Sequence, residues 1–233
     1  MSLQYTIPAR LYPFLLVCLP ASLAVAAWFP DKFVGYGFLS TIATASGFVV
    51  LMTQLGRDAG VTKEQALWDS WGGKPTTQLL RHRDRQINPN TKARYHAKLA
   101  AIVPDVQMPT PEDEARDPQA ADHAYDSCAN YLIQKTRNHK QFPLLFHENV
   151  SYGFRRNLWG MKRAGTAFSV IGLVTSVLPV AIYWNQELRI VAVVATAINA
   201  FMLAWWLLRF NPDWIRIPAF AYAEELYAAS DNL

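Results

Sequence analysis

The chain has 233 residues, a formal net charge of +4 and 17% charged residues, and its mean hydropathy of +0.04 is one that a soluble domain would also show. Its two cysteines, Cys18 and Cys128, imply no disulfide framework. The averages conceal four uncharged apolar stretches, at 11–29, 33–55, 164–184 and 190–208, set two and two around a polar, basic insert. Four such runs would leave too little polar surface to cover them in a water-soluble fold, so a soluble globular protein is excluded.

Each stretch is about 19 to 23 residues long, which as a helix gives about 28 to 35 Å and matches a hydrocarbon core of about 30 Å. In the first, Pro13 and Pro20 are expected to bend the helix or end its first turn. Arg10 before it and Ala24, Ala26 and Ala27 near its end imitate a signal peptide. A second apolar stretch begins after only Pro30, Asp31 and Lys32, so a retained helix is expected. The second stretch carries Ser40, Thr41, Thr44, Ser46, Thr53 and Gln54, and the fourth carries Thr196 and Asn199. A buried amide or hydroxyl in hydrocarbon needs a partner, which helix packing or a water-filled path would supply. Ser40, Thr41, Thr44, Thr53, Gln54 and Asn199 are therefore the candidate pore-lining residues. No Asp, Glu, Lys, Arg or His falls inside the four stretches, which argues against a proton-coupled transporter.

The insert between the pairs reads as helices joined by proline turns, with no alternating run long enough for a sheet. Thr62 with Gln65 predicts a capping box for a short helix ending at Gly72-Gly73, and Pro75 starts the next, through Leu79 and Leu80. Asn88 and Pro89 predict a third helix with Tyr95, Leu99 and Ile102 on one face. Residues 104–118 read as a proline-rich acidic loop, after which Asp117 and Pro118 open a longer helix with Ala121, Ala124, Tyr125, Cys128, Tyr131 and Leu132 along one side. A further helix after Phe142 feeds the third stretch, and aromatic residues with bases flank the membrane ends.

The expected class is an all-α integral membrane protein, with four transmembrane helices (2+2) and a helical cytoplasmic insert. The expected divisions are a first hairpin at 1–56, the insert at 57–163, a second hairpin at 164–209 and a tail at 210–233. From Gly56 to Arg163 the chain has 17 Lys and Arg against 12 Asp and Glu, with bases crowded at both membrane edges. The positive-inside rule then places the insert and both termini in the cytoplasm.

Gly73-Lys74 imitates a phosphate loop, but Trp68 stands where that loop needs glycine and Pro75 where it needs a hydroxyl. His82-Arg83-Asp84 imitates a kinase triplet without any other kinase feature. The five histidines all lie in the insert without ligand spacing, so no metal or cofactor is expected. The densest positive segment contains Arg81, His82, Arg83, Arg85, Lys92 and Arg94. It suits anionic lipid, a solvated helix face, or a phosphate-bearing ligand, and these six are the candidate ligand-binding residues.

The strings LWDSWGGKPTTQLLRHRD (67–84), NTKARYHAKL (90–99), PEDEARDPQAAD (111–122) and ENVSYGFRRNLWGMK (148–162) resemble a group of uncharacterised bacterial inner-membrane proteins with the same two-plus-two layout. The resemblance implies a bacterial inner (plasma) membrane and brings no catalytic residues. Three functions are left in view. The leading expectation is an oligomeric channel or pore gated by its insert, an effector in bacterial stress or antiviral defence. The second is a membrane anchor or adaptor for a soluble cytoplasmic partner, and the third a membrane-embedded enzyme, for which Asp58, Asp69, His147 and Glu148 are the near-membrane candidates and no catalytic role is assigned. The expected partners are the lipid bilayer, further copies of the chain as a homo-oligomer, and a soluble protein or phosphate-bearing ligand.

Overall fold

The computed structural model describes residues 3–29 and 53–233, and every described element is helical. Three helices are long and apolar enough to cross a membrane: α1 (Leu3–Trp28), α9 (Lys162–Ile182) and α10 (Gln186–Leu208). Of the second predicted span, 33–55, all but the last three residues lie outside the described residues. Between α1 and α9 come α2 (residues 53–62), α3 (Glu64–Trp71), α4 (Pro75–Leu80), α5 (Pro89–Ile102), α6 (Pro111–Arg116), α7 (Pro118–Lys135) and α8 (Pro143–Gly160). After α10 follow α11 (Pro212–Ala228) and a 3-10 turn, Ala229–Asn232.

The chain divides into two units, one of residues 1–64 and 153–214, the other of 65–152 and 215–233. Residues 215–233, read from sequence as part of a cytoplasmic tail, thus group with the insert.

In the first unit α1, α9 and α10 pack against one another in all three pairings. Small residues permit the approach: Ala27, Ala192 and Ala195 form one contact, and a Cβ on Gly165 would enter the Trp206 indole. The outward faces keep Val170, Ile171, Val174, Val177, Ile190 and Phe201 exposed, a surface that suits lipid and not water.

Helix α1 starts well before the apolar stretch, so Arg10 is inside the helix and buried. Neither Pro13 nor Pro20 ends it. Instead the turn Ile7–Leu11 widens to π geometry, with the Tyr12 amide donating to the Ile7 carbonyl. The reason is that Pro13 has no N–H for the Ala9 carbonyl and its ring crowds that oxygen. The orphaned Ala9 oxygen accepts instead from Asn157 Nδ2 of α8 at 2.8 Å. Pro179 likewise strips the Thr175 carbonyl, and Trp28 Nε1 donates to it at 3.0 Å. Pro218 strips the Trp214 carbonyl, and Arg155 Nη1 donates to that at 2.8 Å. At Pro13, Pro179 and Pro218 the proline is tolerated because a side chain of another helix replaces the lost donor.

Helices α2 and α8 also cross closely, since a Cβ on Gly160 would lie 2.5 Å from the Gly60 nitrogen. Glu64 and Arg156 seal this crossing at 2.8 Å, both largely buried.

The second unit has its own core of Leu79, Leu80, Tyr95, Leu99, Tyr125, Cys128 and Leu132, into which the C-terminal segment inserts Phe220, Ala223, Leu226 and Tyr227. Tyr227 is fully buried, and its hydroxyl donates to the Thr76 carbonyl at 2.5 Å. The insert therefore completes its core with the chain's last helix.

Two local expectations change. Thr62 is no N-cap, because its hydroxyl donates to the Asp58 carbonyl within α2. The acidic loop contains α6, started by a capping box in which Thr110 and Asp113 exchange hydrogen bonds. The other caps follow the sequence reading. Gly73 N–H to the Trp68 carbonyl and Gly72 N–H to the Asp69 carbonyl form a Schellman end for α3, with φ of 88° at Gly72. Asn88 and Asp117 cap α5 and α7.

Candidate functional site

The basic segment lies in the second unit, and the structure distributes five of its six candidate residues among different partners. Arg81 reaches α7, donating to both oxygens of Asp122 at 2.8 and 2.6 Å and to the Gly72 carbonyl at 2.8 Å. One turn further along α7, Asp126 holds the Lys74 ammonium, which also lies over the Trp68 ring. The string from Leu67 to Asp84 is thus a helix end and restart clamped onto α7 by two ion pairs. Arg83 pairs with Glu114 at 3.2 Å, and Arg94 with Asp231 at 3.0 Å.

Glu114 is the buried centre of this arrangement. It accepts from the His82 amide at 2.7 Å, the Arg83 amide at 3.3 Å and the Tyr125 hydroxyl at 2.8 Å, besides the Arg83 guanidinium. Burial pushes its carboxyl upward, but these donors outweigh burial and hold it below the usual carboxylate range. Burial and the Glu114 charge both raise Tyr125, which stays a neutral donor.

His82, Arg85 and Lys92 come together with Asp84 and His96 around a cavity of about 520 Å³. His82 Nε2 lies 2.9 Å from the Pro109 carbonyl and His96 Nε2 2.8 Å from the Leu80 carbonyl. A carbonyl only accepts, so each ring carries a proton on Nε2. Burial lowers His96, keeping it neutral. The Lys92 ammonium donates to the Arg81 and Asp84 carbonyls at 2.6 and 2.5 Å, and burial lowers its pKa against the opposing pull of Asp84. Of the cavity's three candidate residues, His82, Arg85 and Lys92, Arg85 alone is exposed. The cavity can take a small polar molecule, but the cations around it are mostly occupied in holding loops. Cys128 is no reactive thiol, since burial pushes it up to about 11. Among the described residues no three His, Cys, Asp or Glu side chains group to hold a metal.

Of the pore-lining candidates, Ser40, Thr41 and Thr44 lie outside the described residues. Thr53 is buried and Gln54 exposed at the start of α2. Asn199 is fully buried between α9 and α10, where its Nδ2 lies 3.4 Å from Ser176 Oγ. Thr196 donates to the same Ser176 oxygen at 3.2 Å. These groups lie inside the helix packing and form no exposed polar face on α10.

Sequence reasoning missed Glu114, Asp84 and His96 as organising residues. The signal for Glu114 was the capping pattern Thr110-Pro111-Glu112-Asp113, which starts a helix and turns the next carboxylate inward. A second hollow of about 160 Å³ lies in the same unit, lined by Trp68, Ile133, Ala129, Tyr152 and Tyr222 with the Lys74–Asp126 pair at its edge. No protein-family model, curated protein or solved structure matches this chain.

Proposed function

We propose that the protein is a membrane anchor and adaptor of a bacterial inner membrane. Its apolar helices hold it in the bilayer, and its second unit, on the cytoplasmic side, docks a soluble protein. The observation that carries this reading is that the Asn199 amide nitrogen and the Thr196 hydroxyl both turn onto Ser176 Oγ inside the α9–α10 packing, with Asn199 Oδ1 buried there without a partner among the described residues. Polar groups used as packing contacts supply no lining for a water path. The aromatic hollow at Trp68, Tyr152 and Tyr222, apolar within and edged by an ion pair, suits an apolar anchor side chain of the docked partner. The excess of bases between the apolar pairs supports the orientation.

Purified full-length protein in liposomes, together with affinity capture from native membranes, tests the proposal. An adaptor passes no ions above empty vesicles and loses its co-purifying soluble protein in Ile133→Asp. A channel remains the second reading because of the hydroxyl row Ser40, Thr41 and Thr44. Ion flux that Thr44→Val abolishes would put it in place of the adaptor.

A further inference from the structure

The first unit contains a cleft of about 620 Å³ at the start of α9, lined by Lys63, Trp159, Lys162, Arg163, Thr166 and Ala167. Three of these six residues are cations and none is an acid. The cations are only partly satisfied. Lys63 Nζ donates to the Gly160 carbonyl at 2.7 Å and lies 5.4 Å from the centre of the Trp159 ring. An ammonium has three donors, so two are left by that bond. Lys162 Nζ caps the end of α10 at the Leu207 and Phe210 carbonyls, 3.3 and 2.8 Å away, which leaves one. The Arg163 guanidinium is exposed. Burial first, and the nearby Arg163 charge second, push the Lys63 pKa down. Like charges held together across a cleft are stabilised by an anion between them.

The position of the cleft selects the anion. Past Thr166 and Ala167, helix α9 continues into exposed Phe168, Val170 and Ile171, the face that suits acyl chains. A phosphate in the cleft would have its hydrocarbon on that face, and Trp159 has the amphipathic ring found at headgroup depth. We infer that this cleft is a binding site for the phosphodiester headgroup of one anionic phospholipid, with Arg163 its principal ligand and Lys63 and Lys162 completing the charge. The site lies in the membrane unit and is independent of the adaptor reading.

Native mass spectrometry of the full chain, released from nanodiscs of phosphatidylglycerol mixed with phosphatidylcholine, tests it. The expected result is one retained phosphatidylglycerol per chain, reduced about tenfold in Arg163→Glu, the size of effect that losing a charge-assisted contact of about 1.4 kcal/mol produces. Arg189→Glu, at the other end of the hairpin, should retain the lipid. Arg163→Gln guards against misfolding: it should melt as the parent does in pure phosphatidylcholine yet lose the extra stability that phosphatidylglycerol confers. Equal retention by Arg163→Glu, or no preference for phosphatidylglycerol over phosphatidylcholine, overturns the proposal. So does competition by millimolar inorganic phosphate or glycerol phosphate in phosphatidylcholine discs, since that would make the site one for a soluble anion.

Discussion

The two units draw most of the partners of their buried polar groups from different materials, although the first also buries the Glu64–Arg156 pair. In the first unit the orphaned groups are backbone carbonyls behind prolines, and neutral or delocalised donors reach them: Asn157 to Ala9, Trp28 to Thr175, Arg155 to Trp214. In the second unit the buried groups are charged side chains, and backbone as well as ionic partners gather around them: amides and a hydroxyl on Glu114, carbonyls on Lys92. Where apolar packing keeps water from a carbonyl that has lost its backbone donor, a side chain must serve it. Where water is near, the chain can bury a charge and use backbone to hold it.

The strongest way to break the second half of this comparison is Glu114→Ala. It leaves an amide pair and the Tyr125 hydroxyl without their acceptor, and removing one member of a buried charged network costs about 3–5 kcal/mol. Thermal unfolding followed by circular dichroism should show a large loss. Arg83→Gln should cost under about 1 kcal/mol, because that partner is half exposed. Gly160→Ala comes next, since its Cβ would meet the Gly60 backbone, which cannot swing aside as a side chain would. About 1–3 kcal/mol of destabilisation is expected, read as a lower melting temperature in detergent.

Trp28→Phe sharpens the first half. It should cost about 1–2 kcal/mol in the parent, the price of an unsatisfied carbonyl. In a Pro179→Ala background, where the backbone N–H returns to the Thr175 carbonyl, it should cost almost nothing. An equal cost in both backgrounds would show that the indole acts by packing alone. The smallest effect is a pH slope. His96 is held below its ordinary pKa of about 6.5, so on acidification through that value the unfolded chain takes up a proton that the fold refuses, and stability falls. Glu114 is held below its ordinary value of about 4.3, so its contribution is present above that pH and is lost as pH falls through its lower folded value. Denaturation between pH 7 and 5 should therefore show a shallow decline that His96→Phe flattens.

Much of the second unit's local structure was legible before any coordinates. The Gly72-Gly73 end of α3, the Pro75 restart, the Asn88 and Asp117 caps and the buried row Tyr125, Cys128 and Leu132 all depend on neighbours within a turn or two. Helix α6 is hidden in the sequence because four prolines and five acids in 104–118 have loop composition, while the Thr110–Asp113 box that starts it outweighs them locally. The six basic residues looked like one patch in sequence. They divide because Arg81, Arg83 and Arg94 are each claimed by a different distant carboxylate, Asp122, Glu114 and Asp231, that no local pattern ties to them.

What the sequence by itself determined is the helical class and the helices long and apolar enough to cross a membrane, since both follow from uninterrupted apolar length and from caps. Tertiary structure decided which helix supplies each missing donor, that the last helix closes the insert's core, and that Asn199 faces Ser176 inside the packing. Those outcomes join residues far apart in the chain, Trp28 with Thr175 or Thr76 with Tyr227. A proline announces that a carbonyl has lost its donor, but only the packing of three-dimensional neighbours chooses the replacement.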